Sequence, residues 1–255
     1  MINFSENIFW NILWYVLISI GVIVFIILFF VSAGYGRYNT KKWGPQIDNT
    51  LGWVIMECVP PIIFLTFFII GDRQSNMPAR IFLLIWEIHY IHRAFIYPFK
   101  IKGKKQIPIL IVIMGMVFNG FNGYIQGRFL FQLSPIYSNN WFLTPMFITG
   151  TLIFLFGFII NLNSDHILRN LRKPGEVGYK IPYNSFFKWV SCPNYLGELL
   201  EWIGWAILTW SFAGLFFFLW TAANLVPRAY SHHKWYLAKF PDYPKNRKAI
   251  FPYVF

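Results

Sequence analysis

Asn194, Glu198 and Glu201 recur at i, i+4 and i+7 in CPNYLGELLEWIGW, Cys192 to Trp205. The stretch begins as a helix entry and becomes an apolar run, so one helix face carries an amide and two acids. A carboxylate at membrane depth costs roughly 2.5–3.5 kcal/mol on insertion scales. Two acids within one turn therefore need a partner or a ligand. Asn161, Asp165, Arg169 and Arg172 form a second stripe, at spacings of four, four and three. Such a wall suits a charged, multi-hydroxyl ligand: amide and carboxylate for ribose hydroxyls, guanidinium for phosphate. The alternative is a solvated helix end. Arg228, His232 and Tyr236 follow at i, i+4 and i+8, and read either as a further polar wall or as an interfacial belt of snorkelling side chains. His232 and His233 are adjacent, but no third ligand stands at a metal-site spacing, so no metal is expected.

A different chemistry is suggested nearer the N-terminus. Glu57 lies one turn after Trp53, and Tyr90, Arg93 and Tyr97 make a stripe at i, i+3 and i+7. Burial disfavours a charged carboxyl, so Glu57 can stay protonated and donate a hydrogen bond. A phenol beside it is a second donor, and two donors aimed at one oxygen polarise a carbonyl. An ion pair of Glu57 with Arg93 or His89 is the structural alternative. GFNGYIQG, Gly120 to Gly127, imitates a dinucleotide loop, but it has the wrong spacing and no preceding strand. Its glycines are expected to let helices approach closely. Neither a P-loop nor HExxH nor a nucleophile elbow is present.

The elements that carry these residues are membrane-like. The 255 residues are 56% apolar and only 13% charged, against about 25% charged in a soluble domain. The apolar residues come in long runs, which defines an all-α polytopic membrane protein. Aromatic residues then supply lipid-facing bulk and interface belts rather than nucleic-acid stacking. A net charge of +12 has the same origin, in basic cytoplasmic loops. Cys58 and Cys192 lie in or beside apolar runs, and neither a disulfide nor a metal site is expected of them. The first run lacks a basic leader and exceeds the about 7–15 residues of a signal-peptide core, so it reads as a true span.

Seven transmembrane helices are predicted, at about 8–32, 51–70, 79–97, 108–131, 141–163, 195–210 and 213–226, within a single domain covering 1–255. Pro60 and Pro61 should bend the second. The first, third and fifth loops and the tail hold 18 of the 22 Lys and Arg residues. That asymmetry places the N-terminus outside and the C-terminus in the cytosol. Glu57 and Tyr90 then lie roughly 9–10 Å deep at 1.5 Å per residue, and Glu198 and Glu201 just inside the cytosolic end of the sixth helix. The polar groups share one layer in the cytosolic half, with an active site open to the cytosol.

Several separate segments, in order, carry a resemblance over nearly the whole chain: Trp53 to Glu57, HYIHRAFIY (His89 to Tyr97), NLNSDHILRNLRKPGEVGYKIP (Asn161 to Pro182), NYLGELLEWIGWA (Asn194 to Ala206) and the tail from Arg228 to Phe255. The sequence resembles the steroid 5-alpha-reductase family. The wider superfamily, with isoprenylcysteine methyltransferases and sterol reductases, shares mainly the Asn-Tyr-x-Gly-Glu region. The resemblance implies NADPH-dependent reduction of the 4,5 double bond of 3-oxo-4-ene steroids. Carried over, Glu57 and Tyr90 hold the 3-oxo group and Trp53 flanks the site. Asn161, Asp165, Arg172, Tyr179, Asn194, Glu198, Arg228, His232 and Tyr236 line the cofactor. Glu201, one turn deeper, is expected to brace an Arg or His of the tail.

Two departures stand out: Met56, where animal members often have Gln, and the lysine-rich KIKGKK, where they carry Asn and Arg. Lys102 and Lys104 become candidates for the adenosine phosphate. The expected partners are an apolar enone and membrane lipid, with no nucleic acid and a monomeric state, in the endoplasmic reticulum or cytoplasmic membrane. The competing functions are methyl transfer from S-adenosylmethionine and non-catalytic sterol or lipid binding.

Overall fold

A computed structural model describes residues 4–32, 34–102, 106–172, 176 and 178–255. In chain order they form α1 (Phe4–Phe30), β1 (Gln46–Asp48), α2 (Asn49–Glu57), α3 (Val59–Ile70), α4 (Met77–Ile91), α5 (Tyr97–Lys100), β2 (Gln106–Pro108), α6 (Ile109–Arg128), α7 (Pro145–Asn170), α8 (Pro193–Thr209) and α9 (Phe212–Lys239). A π-helical turn, His92–Ile96, joins α4 to α5, and a second, Phe129–Leu133, ends α6.

Among the described residues, five stretches are long and apolar enough to cross a membrane: Glu6–Phe30, Asn49–Ile70, Ile109–Leu133, Pro145–Asn170 and Phe212–Lys239. They coincide with the first, second, fourth, fifth and seventh predicted spans, and the chain is a helical integral membrane protein. The other two predicted spans are helical but differ in kind. The third is α4, its π turn and α5, an apolar helix interrupted by Arg80, Glu87 and Arg93. The sixth is α8, with 17 residues, or about 25 Å of rise at 1.5 Å each. Two features depart from the expectation. The first and third loops are not merely polar connections: β1 and β2 pair antiparallel, with Ile47 opposite Ile107. And α9 does not stop at 226 but continues through Pro227 to Lys239.

The chain divides into two compact units. The first comprises Met1–Leu17 and Ala33–Phe147, the second Ile18–Ser32 and Ile148–Phe255. In the first, the Trp10 indole donates to the Ile125 carbonyl at 3.2 Å, and Arg128 pairs with Glu6. Phe64 stacks on Trp86 with ring centroids 4.6 Å apart, and both are fully buried. Asp48 begins α2 by accepting from the Leu51 amide at 3.0 Å, a cap of the kind that supplies about 1 kcal/mol. At the other end of α2, Pro60 and Pro61 bring no N–H to the carbonyls four residues earlier. The helix breaks there, and α3 restarts with these prolines in its first turn.

In the second unit α7 and α8 touch backbone to backbone. A Cβ added at Gly157 would come 2.5 Å from the Glu201 nitrogen and the Gly197 oxygen. One added at Gly197 would lie 2.5 Å from the Asn161 nitrogen. Small residues at such a crossing replace side-chain bulk with close van der Waals contact, the main source of helix association in lipid. Ser211 caps α9 through the Gly214 amide at 2.9 Å. The tail folds back onto the segment before α8: Ser191 N donates to Lys248 O at 2.8 Å and Cys192 N to Ala249 O at 3.1 Å. Those bonds anchor the chain where it enters α8.

Candidate functional site

In the first unit, the site residues gather where α2 packs against the π turn and α5. Trp53 and Glu57 are one turn apart on α2 and share a face. Arg93 comes from the π turn, whose extra residue per turn displaces side chains from an α-helical register. Its Nε lies 3.7 Å from Glu57 Oε1. Its guanidinium lies over the Trp53 ring at 4.8 Å and over the Tyr97 ring at 5.3 Å. Trp53 and Tyr97 meet edge to face at 5.6 Å. Arg93 thus binds two aromatic faces and one carboxylate at once. The ion pair held open as the alternative role of Glu57 is present, though longer than a hydrogen bond. Tyr90 is buried on α4, with its ring against Trp86 at 4.8 Å and His89 at 5.0 Å.

In the second unit, the close α7/α8 crossing that juxtaposes Gly157 and Gly197 also brings Asn161 and Asp165 to Asn194. The Asn161 amide donates to the Asn194 carbonyl at 3.0 Å, and the Asn194 amide donates to Asp165 Oδ1 at 3.3 Å. Asn161 and Asp165 are buried and Asn194 is half-buried. These three, named from two separate stripes, form one chain of hydrogen bonds. Glu198 is half-buried one turn along α8, and Glu201 is wholly buried at the glycine crossing. Arg172 donates to the Gly178 carbonyl at 3.2 Å and lies 6.0 Å from the ring of Tyr179. Tyr179 is exposed and packs edge to face on Trp235 at 4.8 Å.

On α9 the stripe of Arg228, His232 and Tyr236 divides. Arg228 donates to the Tyr195 hydroxyl at 3.2 Å and to Asn224 at 3.1 Å. His232 Nε2 lies 3.2 Å from the same hydroxyl. Tyr236 is buried and stacked on Tyr243 at 5.1 Å, with Phe240 behind it. The adjacent His233 takes a different partner, Ser191 Oγ at 2.7 Å from its Nδ1. Lys102 is exposed, and Lys104 lies outside the described residues.

Tyr195 is the residue that the stripes missed. It joins α8 to both polar groups of α9, and its signal was its place beside Asn194, rotated off the Asn194–Glu198 face. Arg247 was also missed. It is buried, its guanidinium between the rings of Tyr183 at 5.1 Å and Tyr243 at 5.0 Å. Among the polar residues of the tail nothing in its spacing distinguishes it.

The fold and this arrangement define a helical integral membrane protein with buried polar groups built on its helices. A family model described as 3-oxo-5-alpha-steroid 4-dehydrogenase matches residues 105–255. A steroid 5-alpha-reductase of Gossypium hirsutum is 42% identical over 89% of this chain and 90% of that protein. The 3-oxo-5-alpha-steroid 4-dehydrogenase 1 of Rattus norvegicus is 42% identical over 88% of this chain and 87% of its own. The human protein of the same name is 40% identical, again with 88% and 87% covered. The chain belongs to the steroid 5-alpha-reductase family, a family of oxidoreductases acting on CH–CH groups.

Proposed function

We propose that this protein reduces the 4,5 double bond of 3-oxo-4-ene steroids with NADPH. The observation that carries the reading is Glu57 beside Arg93, Trp53 and Tyr97 in an apolar unit that also buries Tyr90, within a chain 42% identical to a named 3-oxo-5-alpha-steroid 4-dehydrogenase. Glu57 and Tyr90 donate to the 3-oxo group, and negative charge developing on that oxygen is stabilised as the β-carbon is reduced. Arg93 holds Trp53 and the Glu57 side chain in place in the steroid-free protein, and Glu57 takes up a proton before it donates, because an ionised carboxylate only accepts. Trp53 and Tyr97 supply apolar faces for a flat ring system.

The residues of the second unit fit a reduced nicotinamide dinucleotide phosphate. Asn161, Asp165 and Asn194, already oriented by one another, suit hydroxyl and carboxamide groups. Arg172 beside the exposed Tyr179 offers a cation and an aromatic face for phosphate and base. Arg228 and His232, tied through Tyr195, add a second cationic position, with Glu198 and Tyr236 on the same helices. When bound, such a cofactor supplies a hydride.

The chain acts as one domain of seven spans with its N-terminus outside, its C-terminus cytosolic and its cofactor side open to the cytosol. The 18 basic residues in the loops and tail of one side support that orientation. The membrane is the endoplasmic reticulum or the cytoplasmic membrane, and the working unit is a monomer in lipid. The test is purified protein with NADPH and progesterone or testosterone, followed by product analysis. A 4,5-reduced steroid supports the reading. Methyl transfer from S-adenosylmethionine, or steroid binding with no NADPH consumed, overturns it.

A further inference from the structure

We infer that Asn119 is a positioning residue for Glu57, an inference that rests on the role proposed for that carboxyl. In a continuous helix the Met56 carbonyl would accept from the N–H of residue 60, but that residue is Pro60, which has none. The ladder is intact on both sides of the gap, with Cys58 N on Val54 O at 3.0 Å and Ile62 N on Cys58 O at 3.4 Å. The Asn119 amide fills the gap from α6, donating to the Met56 carbonyl at 2.8 Å in a buried setting.

The placement is built into one face of α6. Gly115, one turn before Asn119, lies against the Met56 side chain, and a Cβ added at Gly123, one turn after, would be 2.9 Å from Ile63 and 3.6 Å from the Pro60 carbonyl. Gly115, Asn119 and Gly123, spaced by four, run along the break between α2 and α3. The two glycines let the backbones close, and the amide between them reaches the orphaned oxygen. That oxygen belongs to the same planar peptide unit as the Glu57 nitrogen. A hydrogen bond that orients the Met56 carbonyl therefore orients the bond from which Glu57 departs, at the last residue of α2. The helix itself brings no N–H to that carbonyl, because residue 60 is proline.

A side chain that acts through Glu57 matters only while Glu57 is there to be positioned. The experiment is a double-mutant cycle on the full-length protein in lipid nanodiscs, with progesterone and NADPH. Asn119→Ala is expected to lower kcat about tenfold, a misplacement effect, with the KM for NADPH unchanged. In a Glu57→Gln background the same change is expected to cost less than about twofold. Equal losses in both backgrounds, or no loss in the native one, overturn the positioning role. Asn119→Ser, which keeps a shorter donor, carries the same comparison if the alanine variant does not fold. If Glu57→Gln alone retains full turnover, the functional reading of Glu57 fails instead, and the two failures are thereby distinguished.

Discussion

Arg93 lies 3.7 Å from the carboxylate of Glu57 while stacking over Trp53 at 4.8 Å. One guanidinium thus fixes the two α2 side chains that the family resemblance places against substrate. The π turn makes this possible, since Arg93 comes from a segment in which the helical register has slipped.

Arg93→Ala should therefore loosen the substrate end of the protein. Losing one stacked cation and one partly screened ion pair is expected to cost about 1–2 kcal/mol. The check is thermal unfolding in a single detergent. Arg93→Lys keeps charge but not the planar stack, and is expected to recover less than half of that loss. Full recovery by lysine would assign the effect to charge alone.

Gly157 and Gly197 set how closely α7 and α8 approach, and with it the Asn161–Asn194–Asp165 chain. Gly157→Val should cost at least about 1–3 kcal/mol through overpacking. It should also weaken cofactor binding, because Asn161 lies one turn away on the same face. Unchanged NADPH affinity in a folded Gly157→Val protein would detach the crossing from the site.

Arg172→Ala removes a guanidinium from the proposed phosphate position. A charge-assisted hydrogen bond is worth about 1.5–3 kcal/mol, so the KM for NADPH should rise roughly 10- to 100-fold. Turnover at saturating NADPH should remain within about threefold. A selective rise in steroid KM would place this arginine elsewhere.

Tyr195→Phe tests the residue that no stripe contained. Its hydroxyl is shared by Arg228 at 3.2 Å and His232 at 3.2 Å. Losing both contacts should weaken NADPH binding about tenfold or more, since a hydrogen bond from a charged guanidinium is worth about 1.5–3 kcal/mol. Stopped-flow quenching of NADPH fluorescence measures it directly.

The sequence made some of this arrangement legible because apolar run length and proline chemistry are local. The five described stretches long and apolar enough to cross a membrane are visible as runs, and Pro60–Pro61 announce the break after Glu57. The stripes found Asn161, Asp165 and Asn194 because each is periodic on its own helix. Pairings between distant segments left no local trace. Ile47 opposite Ile107, the tail's bonds to Ser191 and Cys192, and the Asn119 amide on the Met56 carbonyl all join residues far apart in the chain. Tyr236 shows the converse limit. Its spacing matched Arg228 and His232, yet its ring is buried against Tyr243. The π turn at Arg93 leaves no mark in the sequence either, because the apolar pattern of the third span runs through it without a break in composition.

Glu57→Gln, measured beside the native protein for both steroid reduction and NADPH binding, tests the central claim most directly. Replacing the acid by an amide leaves shape almost unchanged but removes the stronger donor at the 3-oxo group. The account predicts a loss of turnover of about 10²-fold or more, the usual scale for one donor at a developing oxyanion, with NADPH affinity retained. Native turnover in Glu57→Gln, with 4,5-reduced steroid still formed one-for-one with NADPH consumed, would contradict it.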